Sequence, residues 1–385
     1  MNRSVYAVLL VAVFIAGMGS GLSRLALAKM LRDDLGASML VVSSLTTWFM
    51  AARALSSTVS GLGASISHRV WKALLLLPLP LVSLIVYLLG SMRDPATILA
   101  LNAAWGFVNG LLWPQAQAAA GTLLKGRGGL GIALYFAIGS LGISMGHYLY
   151  GILGLSNPET IRASSTLFLA ASPAMALVAF KAEKPGATYR RGQSLAGISS
   201  ASLWIIIAAY ASGYSSGVLR EFLYVYLGEV YGLAREELGS VLALAGIVSL
   251  ILGLLVGPAA DRWGTHRVLA AVLLMGSIGN AFIGMAPGVT LALVGISLAQ
   301  ASSRSSMPLT RNIGAFDGPQ ALALLGISNT VSSIGQMSGP VIAGTLYDRL
   351  GGSIVLGLPG EAYPFLVALL LLLLALALYP LMVRR

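Results

Sequence analysis

An arginine stands in the middle of an apolar run, Trp48-Phe49-Met50-Ala51-Ala52-Arg53-Ala54-Leu55, with no aspartate or glutamate close to it in sequence. At the centre of a membrane helix such a residue costs roughly 2.5–3.5 kcal/mol on insertion scales, so its presence needs a reason. Its guanidinium either donates to backbone carbonyls as a structural staple or faces a cavity and holds an anionic group, for which its planar fork is suited. Asn102, Trp105 and Asn109 fall at i, i+3 and i+7, one face of a helix that Trp113 extends. Ser297, Gln300 and Arg304 repeat that spacing 195 residues on, extended by Pro308. Two such stripes read as opposite walls of one pocket for a small solute, or as interhelical contacts, since amides also hold membrane helices together. Arg24 and Arg220 lie near the ends of their apolar stretches. There they either snorkel to the surface or line an external vestibule. Glu221, beside Arg220, and His147 are the candidate carriers if proton movement is coupled.

The same inventory argues against catalysis. The chain has no cysteine and three histidines, His68, His147 and His266, with no cluster at metal-ligand spacing and no nucleophile–base pair. No cofactor and no metal are expected, and an enzyme is the least supported class.

These residues sit in elements that composition defines. The chain is 57% hydrophobic and 10% charged, with mean hydropathy +0.85; a soluble domain carries roughly 25% charged residues. Stretches of about 20 apolar residues, enough to cross a bilayer, recur throughout. Twelve are expected, near 5–28, 39–63, 72–90, 96–120, 128–154, 163–181, 198–228, 236–260, 266–286, 288–310, 320–346 and 360–382. In lipid every backbone polar group needs an internal partner, so these are helices. Spans three and twelve carry almost no polar side chains and span nine is similar except for Asn280, whereas spans one, four, seven and ten carry glycines, amides and arginines. Polar groups at membrane depth face a bundle interior or a water-filled cavity, so the latter four are expected to enclose a central path.

The first half of the chain recurs 196 residues later. Gly17, Gly21, Arg24, Gly36, Ser44 and Gly61 match Gly213, Gly217, Arg220, Gly232, Ser240 and Gly257. Repeated multi-helix units in a hydrophobic chain are the architecture of secondary transporters. The G-x-x-x-G pairs of spans one and seven suit close helix packing, the other reading being interrupted helices that flank a solute site. A hydrophilic, basic segment near the middle reads as a cytoplasmic linker, giving an N-terminal bundle over 1–180, a linker over 181–197 and a C-terminal bundle over 198–385. With both termini placed inside, the inner segments hold fifteen Lys/Arg against three acids, and the outer ones eight against ten. The net charge of +11 is therefore a positive-inside signal and not a nucleic-acid footprint.

The turn after span eight reads Gly257-Pro258-Ala259-Ala260-Asp261-Arg262-Trp263-Gly264-Thr265-His266-Arg267. It resembles the G-x-x-x-D-R-x-G-x-x-R signature of the major facilitator superfamily, at the place between the eighth and ninth helices where that family carries it. With twelve spans, a central basic linker and the half-repeat, the resemblance covers the whole chain. It implies an all-α membrane protein of two pseudo-symmetric six-helix bundles, working by alternating access. It also implies that Gly257, Asp261, Arg262, Gly264 and Arg267 form a cytoplasmic gating latch, the other reading of these charges being sidedness alone. The first-half counterpart departs from the signature, with Ser65 and Ile66 where the acid and arginine belong. In span four Gly106 stands where proton-coupled members carry an arginine ahead of the glycine, here Gly110. In span five Gly142 and Gly146 lack the proline that marks drug–proton antiporters, while a similar string, Gly335 to Pro340, lies in span eleven.

The resulting expectation is a secondary transporter, acting as a monomer in a plasma or inner membrane, with both termini cytoplasmic. Arginines outnumber acids among the cavity candidates, which favours a small organic anion or anion-bearing metabolite, with H+ or Na+ as candidate coupling ions. The rivals are efflux of lipophilic compounds, suggested by Trp105 and Trp113, and a non-transporting sensor or scaffold on the same fold.

Overall fold

The computed structural model describes residues 2–124, 128–182, 200–316 and 321–380. Most of the expected linker, together with Lys125, Arg127, Arg190, Arg191, Asp317, Arg384 and Arg385, lies outside them. The described residues form fourteen α-helices and one small hairpin. In order the helices are α1 Asn2–Lys29, α2 Met39–Ile66, α3 His68–Leu76, α4 Pro78–Leu89, α5 Pro95–Leu123, α6 Gly128–Ile152 and α7 Asn157–Lys181. They continue with α8 Ser200–Val218, α9 Glu221–Val230, α10 Arg235–Trp263, α11 Thr265–Met285, α12 Val289–Phe316, α13 Ala321–Leu350 and α14 Tyr363–Ala377. The strands β1 Ile354–Val355 and β2 Leu358–Pro359 pair antiparallel between α13 and α14.

The described part of each of the twelve expected segments lies largely on helix, and two of them are broken. The third breaks ahead of Pro78, which opens α4 because a proline supplies no amide to the preceding turn. The seventh breaks at Leu219–Arg220, where Arg220 takes φ −111° and ψ −128°. Nine helical stretches among the described residues are long and apolar enough to cross a membrane. The broken seventh segment and the serine-rich α12 and α13 fall outside that nine.

The chain divides into two compact units: residues 1–37, 48–189 and 233–247 in one, and residues 38–47, 190–232 and 248–385 in the other. In the first unit α1 packs on α6 and α7, and α4 on α5 and α7. In the second α8 packs on α13 and α12, and α11 on α12 and α14. Each unit therefore holds the start of one helix whose remainder belongs to the other, α2 in one case and α10 in the other. Arg235, opening α10, is tied into the first unit: its Nε donates to the Tyr150 carbonyl and its Nη2 to Thr160 Oγ1, both at 2.7 Å.

Glycine sets the closest helix contacts. A Cβ on Gly17 would stand 2.7 Å from the Gly139 carbonyl, and one on Gly21 would overlap the Ile143 carbonyl. The facing glycines of α6 are as tight, Gly142 on the Phe14 carbonyl and Gly146 on Met18. The second unit repeats the seam, with Gly213 and Gly217 on Ser332 and Gln336, and Gly335 and Gly339 on Tyr210 and Tyr214. The two glycine strings of spans five and eleven are thus the packing partners of the repeat-related pairs in spans one and seven. The half-repeat also survives in the backbone: Gly36 and Gly232 both take φ +63°, a left-handed turn that glycine alone adopts without strain.

Candidate functional site

In the first unit α2 and α5 lie backbone to backbone. A Cβ on Gly106 would overlap the Phe49 carbonyl, and one on Gly110 would overlap the Arg53 carbonyl and the Ser56 hydroxyl. Ser60 Oγ donates to the Gly110 carbonyl at 3.1 Å, and Gln115 Nε2 returns a bond to the Ser60 carbonyl at 3.3 Å. The departure from the family pattern at Gly106 therefore has a local use: it lets α5 close on α2 at Phe49, one turn before Arg53, whose own carbonyl lies against Gly110. The Arg53 side chain is half-buried and makes no hydrogen bond or ion pair among the described residues; its electrostatic neighbours are Tyr135 and Arg24.

Arg24 reaches from α1 across this face. Its guanidinium carbon lies 3.9 Å from the Phe49 ring centroid and 5.1 Å from that of Trp105. Trp105 is 1% exposed and meets Phe49 and Phe168 edge to face, at 5.6 and 5.9 Å between centroids. Its indole N–H has no partner among the described residues. Asn109 Nδ2 donates to the Trp105 carbonyl at 3.0 Å, and its Oδ1 accepts from Trp113 Nε1. Asn102 is buried on the same helix. Trp113 in turn meets Tyr135 edge to face at 6.4 Å. Phe49 and Tyr135 were not singled out from the sequence. Phe49 had a signal, since it precedes Arg53 by one helical turn; Tyr135 sits on α6, and nothing in its own helix marks it.

The second unit gathers a smaller polar group. Ser249 Oγ and Arg304 Nη2 both lie 3.4 Å from Gln300 Oε1, and Tyr224 is an electrostatic neighbour of Arg304. Ser297 turns back, its hydroxyl donating to the Leu293 carbonyl at 2.8 Å. Ser249 stands 196 residues after Arg53, and Arg304 stands 195 after Asn109. In the repeat register the arginine thus moves from the second helix of one half to the fourth helix of the other.

Glu221 is 1% exposed, the first residue of α9 just after the break. Its Oε2 accepts the Thr46 hydroxyl, from the start of α2. A carboxylate there is favoured by the free amides and dipole of the helix N-terminus. Arg220, within the break, is half-buried, and His147 is buried on α6 of the first unit.

The signature turn is open. Asp261, Arg262 and Arg267 are exposed and make no ion pair among the described residues, and nothing lies within 4 Å of a Cβ placed on Gly257. Gly264 takes φ +86° and separates α10 from α11. No group of three or more His, Cys, Asp or Glu able to hold a metal ion occurs among the described residues.

The architecture is that of a multi-pass helical membrane protein built from two repeated units. The family model for the Major Facilitator Superfamily matches residues 9–305 and 205–385, and the chain belongs to that family: it is a transporter and not an enzyme. No curated protein sequence matches it. Among solved structures it is similar to a point mutant of the nucleoside transporter NupG, with TM-score 0.79, 11% identity, and 98% of this chain and 99% of that one covered. It is also similar to a bacterial homolog of the human lysosomal transporter Spinster in an inward-facing, occupied conformation, with TM-score 0.75, 15% identity and 99% and 97% covered. A third is the human organic anion transporter MFSD10, with TM-score 0.61, 16% identity and 98% and 99% covered. At these identities the likeness is one of fold.

Proposed function

We propose that this transporter moves a small organic anion, or a metabolite bearing an anionic group, by alternating access. The observation that carries the reading is Arg53. It is a guanidinium on a membrane-spanning helix, half-buried, with its backbone pinned by Gly110 and no hydrogen-bond acceptor among the described residues. A charge in that setting is retained for a counter-ion, and a solute carboxylate or phosphate matches its geometry. Arg304, Gln300 and Ser249 offer a second set of polar groups in the other unit. In this reading Asp261, Arg262 and Arg267 belong to a cytoplasmic latch, both termini are cytoplasmic, and residues 1–180 and 198–385 are the two six-helix bundles.

A second reading, efflux of lipophilic cations, is favoured by one feature, the buried carboxylate of Glu221. One experiment separates them. Purified protein in detergent is warmed with carboxylates, phosphates, sugars and lipophilic cations, and hits are carried into flux assays in proteoliposomes. The anion reading expects saturable stabilisation by one anion class, lost in Arg53→Gln or Arg304→Gln. Stabilisation by lipophilic cations alone, abolished in Glu221→Gln and indifferent to both arginine changes, would replace it with efflux.

A further inference from the structure

The segment joining α13 to α14 is short, folded and apolar. Between Leu350 and Glu361 it reads Gly-Gly-Ser-Ile-Val-Leu-Gly-Leu-Pro-Gly, with no charged residue. Ile354 pairs with Pro359 and Val355 with Leu358, leaving Leu356-Gly357 as a two-residue turn. Both turn residues have positive φ, +50° and +78°. Hairpin turns of this kind favour Asn-Gly or Asp-Gly, which tolerate the left-handed backbone and face water. Here the first position is a leucine. Its side chain is 93% exposed, that of Ile354 on the same strand face is 81% exposed, and Pro359 opposite is exposed as well. The hairpin is held in place: Tyr363 Oη donates to the Val355 carbonyl at 2.6 Å, the Gly352 amide donates to the Glu361 carboxylate, and the Gly360 amide donates to the Ser353 carbonyl at 2.8 Å.

We infer that this hairpin is a membrane-interface anchor, with Ile354, Leu356 and Pro359 seated at the boundary of lipid headgroups and acyl chains. It runs directly into α14, whose stretch from Gly360 to Ala377 is long and apolar enough to cross a membrane, and its tip is only six residues from Leu350 at the end of α13. The interfacial zone on each side of the hydrocarbon is about 5–8 Å deep, so the tip lies within its reach. Further along α14, Leu370, Leu373 and Leu374 are exposed as well. A leucine in a left-handed turn, exposed to water, would be disfavoured by both backbone and solvent. Exposed to acyl chains, its side chain is in the medium that suits it, as for other apolar interfacial segments. The absence of charge from residues 351–360 fits a lipid partner better than a polar protein surface.

The chain contains no cysteine, so one introduced thiol is a unique labelling position. Ile354→Cys, Val355→Cys, Leu356→Cys and, as the water-facing control, Glu236→Cys are each labelled with an environment-sensitive fluorophore and reconstituted into phosphatidylcholine vesicles. Variants that melt with the parent chain are compared. Labels at Ile354 and Leu356 are expected to shift to shorter wavelength, to be quenched by nitroxide-bearing lipid and to be shielded from aqueous iodide. The Glu236 label should show the reverse, and the Val355 label, on the other strand face, weaker lipid quenching. Equal iodide quenching at positions 354, 356 and 236, with nitroxide lipid inert, would overturn the inference. Self-quenching that rises with protein density while nitroxide lipid stays inert would overturn it in favour of contact with a second copy.

Discussion

The carboxylate of Asp348, on α13, receives the backbone amide of Met39 at 2.9 Å, and its other oxygen receives the amide of Leu40 at 2.9 Å. The first turn of an α-helix leaves its amides without intrahelical acceptors, and here the opening of α2 is capped by a residue more than three hundred positions away. The contact helps to explain why residues 38–47 belong to the second unit. Asp348→Ala is expected to reduce stability by about 0.5–2 kcal/mol, the usual loss on removing a cap. Asp348→Asn, which keeps one acceptor, should lose less. Denaturant titration in a single detergent measures both; equal values for Asp348→Ala and the parent would show that the cap carries no weight.

The glycine seams make a sharper prediction because the space is defined. A methyl group on Gly21 or Gly213 would overlap backbone carbonyls of the facing helix, which cannot turn aside as a side chain can. Gly21→Ala and Gly213→Ala are each expected to destabilise by about 1–3 kcal/mol, as overpacked cores do. Gly257→Ala meets nothing within 4 Å and should be neutral or slightly stabilising, since alanine is the better helix former. The order of melting temperatures, with Gly257→Ala highest, is the readout.

Much of this fold is written in local pattern. Apolar run length located helical segments, nine of them long and apolar enough to cross a membrane among the described residues, and the half-repeat placed Gly36 and Gly232 in equivalent turns that share one backbone angle. The contacts that decide the site were less legible. Periodicity says which residues share a helix face but not which helix that face meets. Gly142 and Gly146 thus looked like a fragment of a family motif, whereas their place is against the glycines of α1. Arg24 sits near the end of its apolar stretch, and nothing in α1 announces that its guanidinium lies over Phe49 of α2 and Trp105 of α5. The break at Arg220 has no proline to signal it, and so the burial of Glu221 beside it was not foreseen.

Outside the spans, Asp94 ahead of α5 supplies a pH test. The Thr97 hydroxyl donates to its carboxylate at 2.6 Å and the Thr97 amide at 2.8 Å. These bonds, the hydroxyl's first, hold its carboxyl below the ordinary range. A group whose acidity is strengthened on folding contributes stability that is fully present above its unfolded pKa, about 3.9 for aspartate. That contribution fades as pH falls through the lower, folded value. Asp94→Asn retains capping ability without titrating. Its unfolding midpoint is expected to change less than that of the parent between pH 5 and the acid limit of the detergent complex. Parallel curves for the two would remove Asp94 from the acid response.

Arg53 offers the last test, and it separates charge from geometry. Hydrogen bonds to a charged group contribute about 1.5–3 kcal/mol, so under the proposed anion transport Arg53→Gln should weaken anion binding by about 10- to 150-fold. Arg53→Lys keeps the charge and loses the planar fork, and is expected to fall between the two. Gly110→Ala leaves the guanidinium intact but forces α2 away from α5 at the Arg53 carbonyl. If position matters as much as charge, Gly110→Ala weakens anion binding towards the Lys variant while the pair Phe49–Trp105, one turn away, still reports a folded unit through tryptophan fluorescence. If Arg53→Lys binds as tightly as the parent, the site reads charge alone. A Gly110→Ala protein that binds normally would mean that Arg53 reaches its ligand without the help of the seam that seats it.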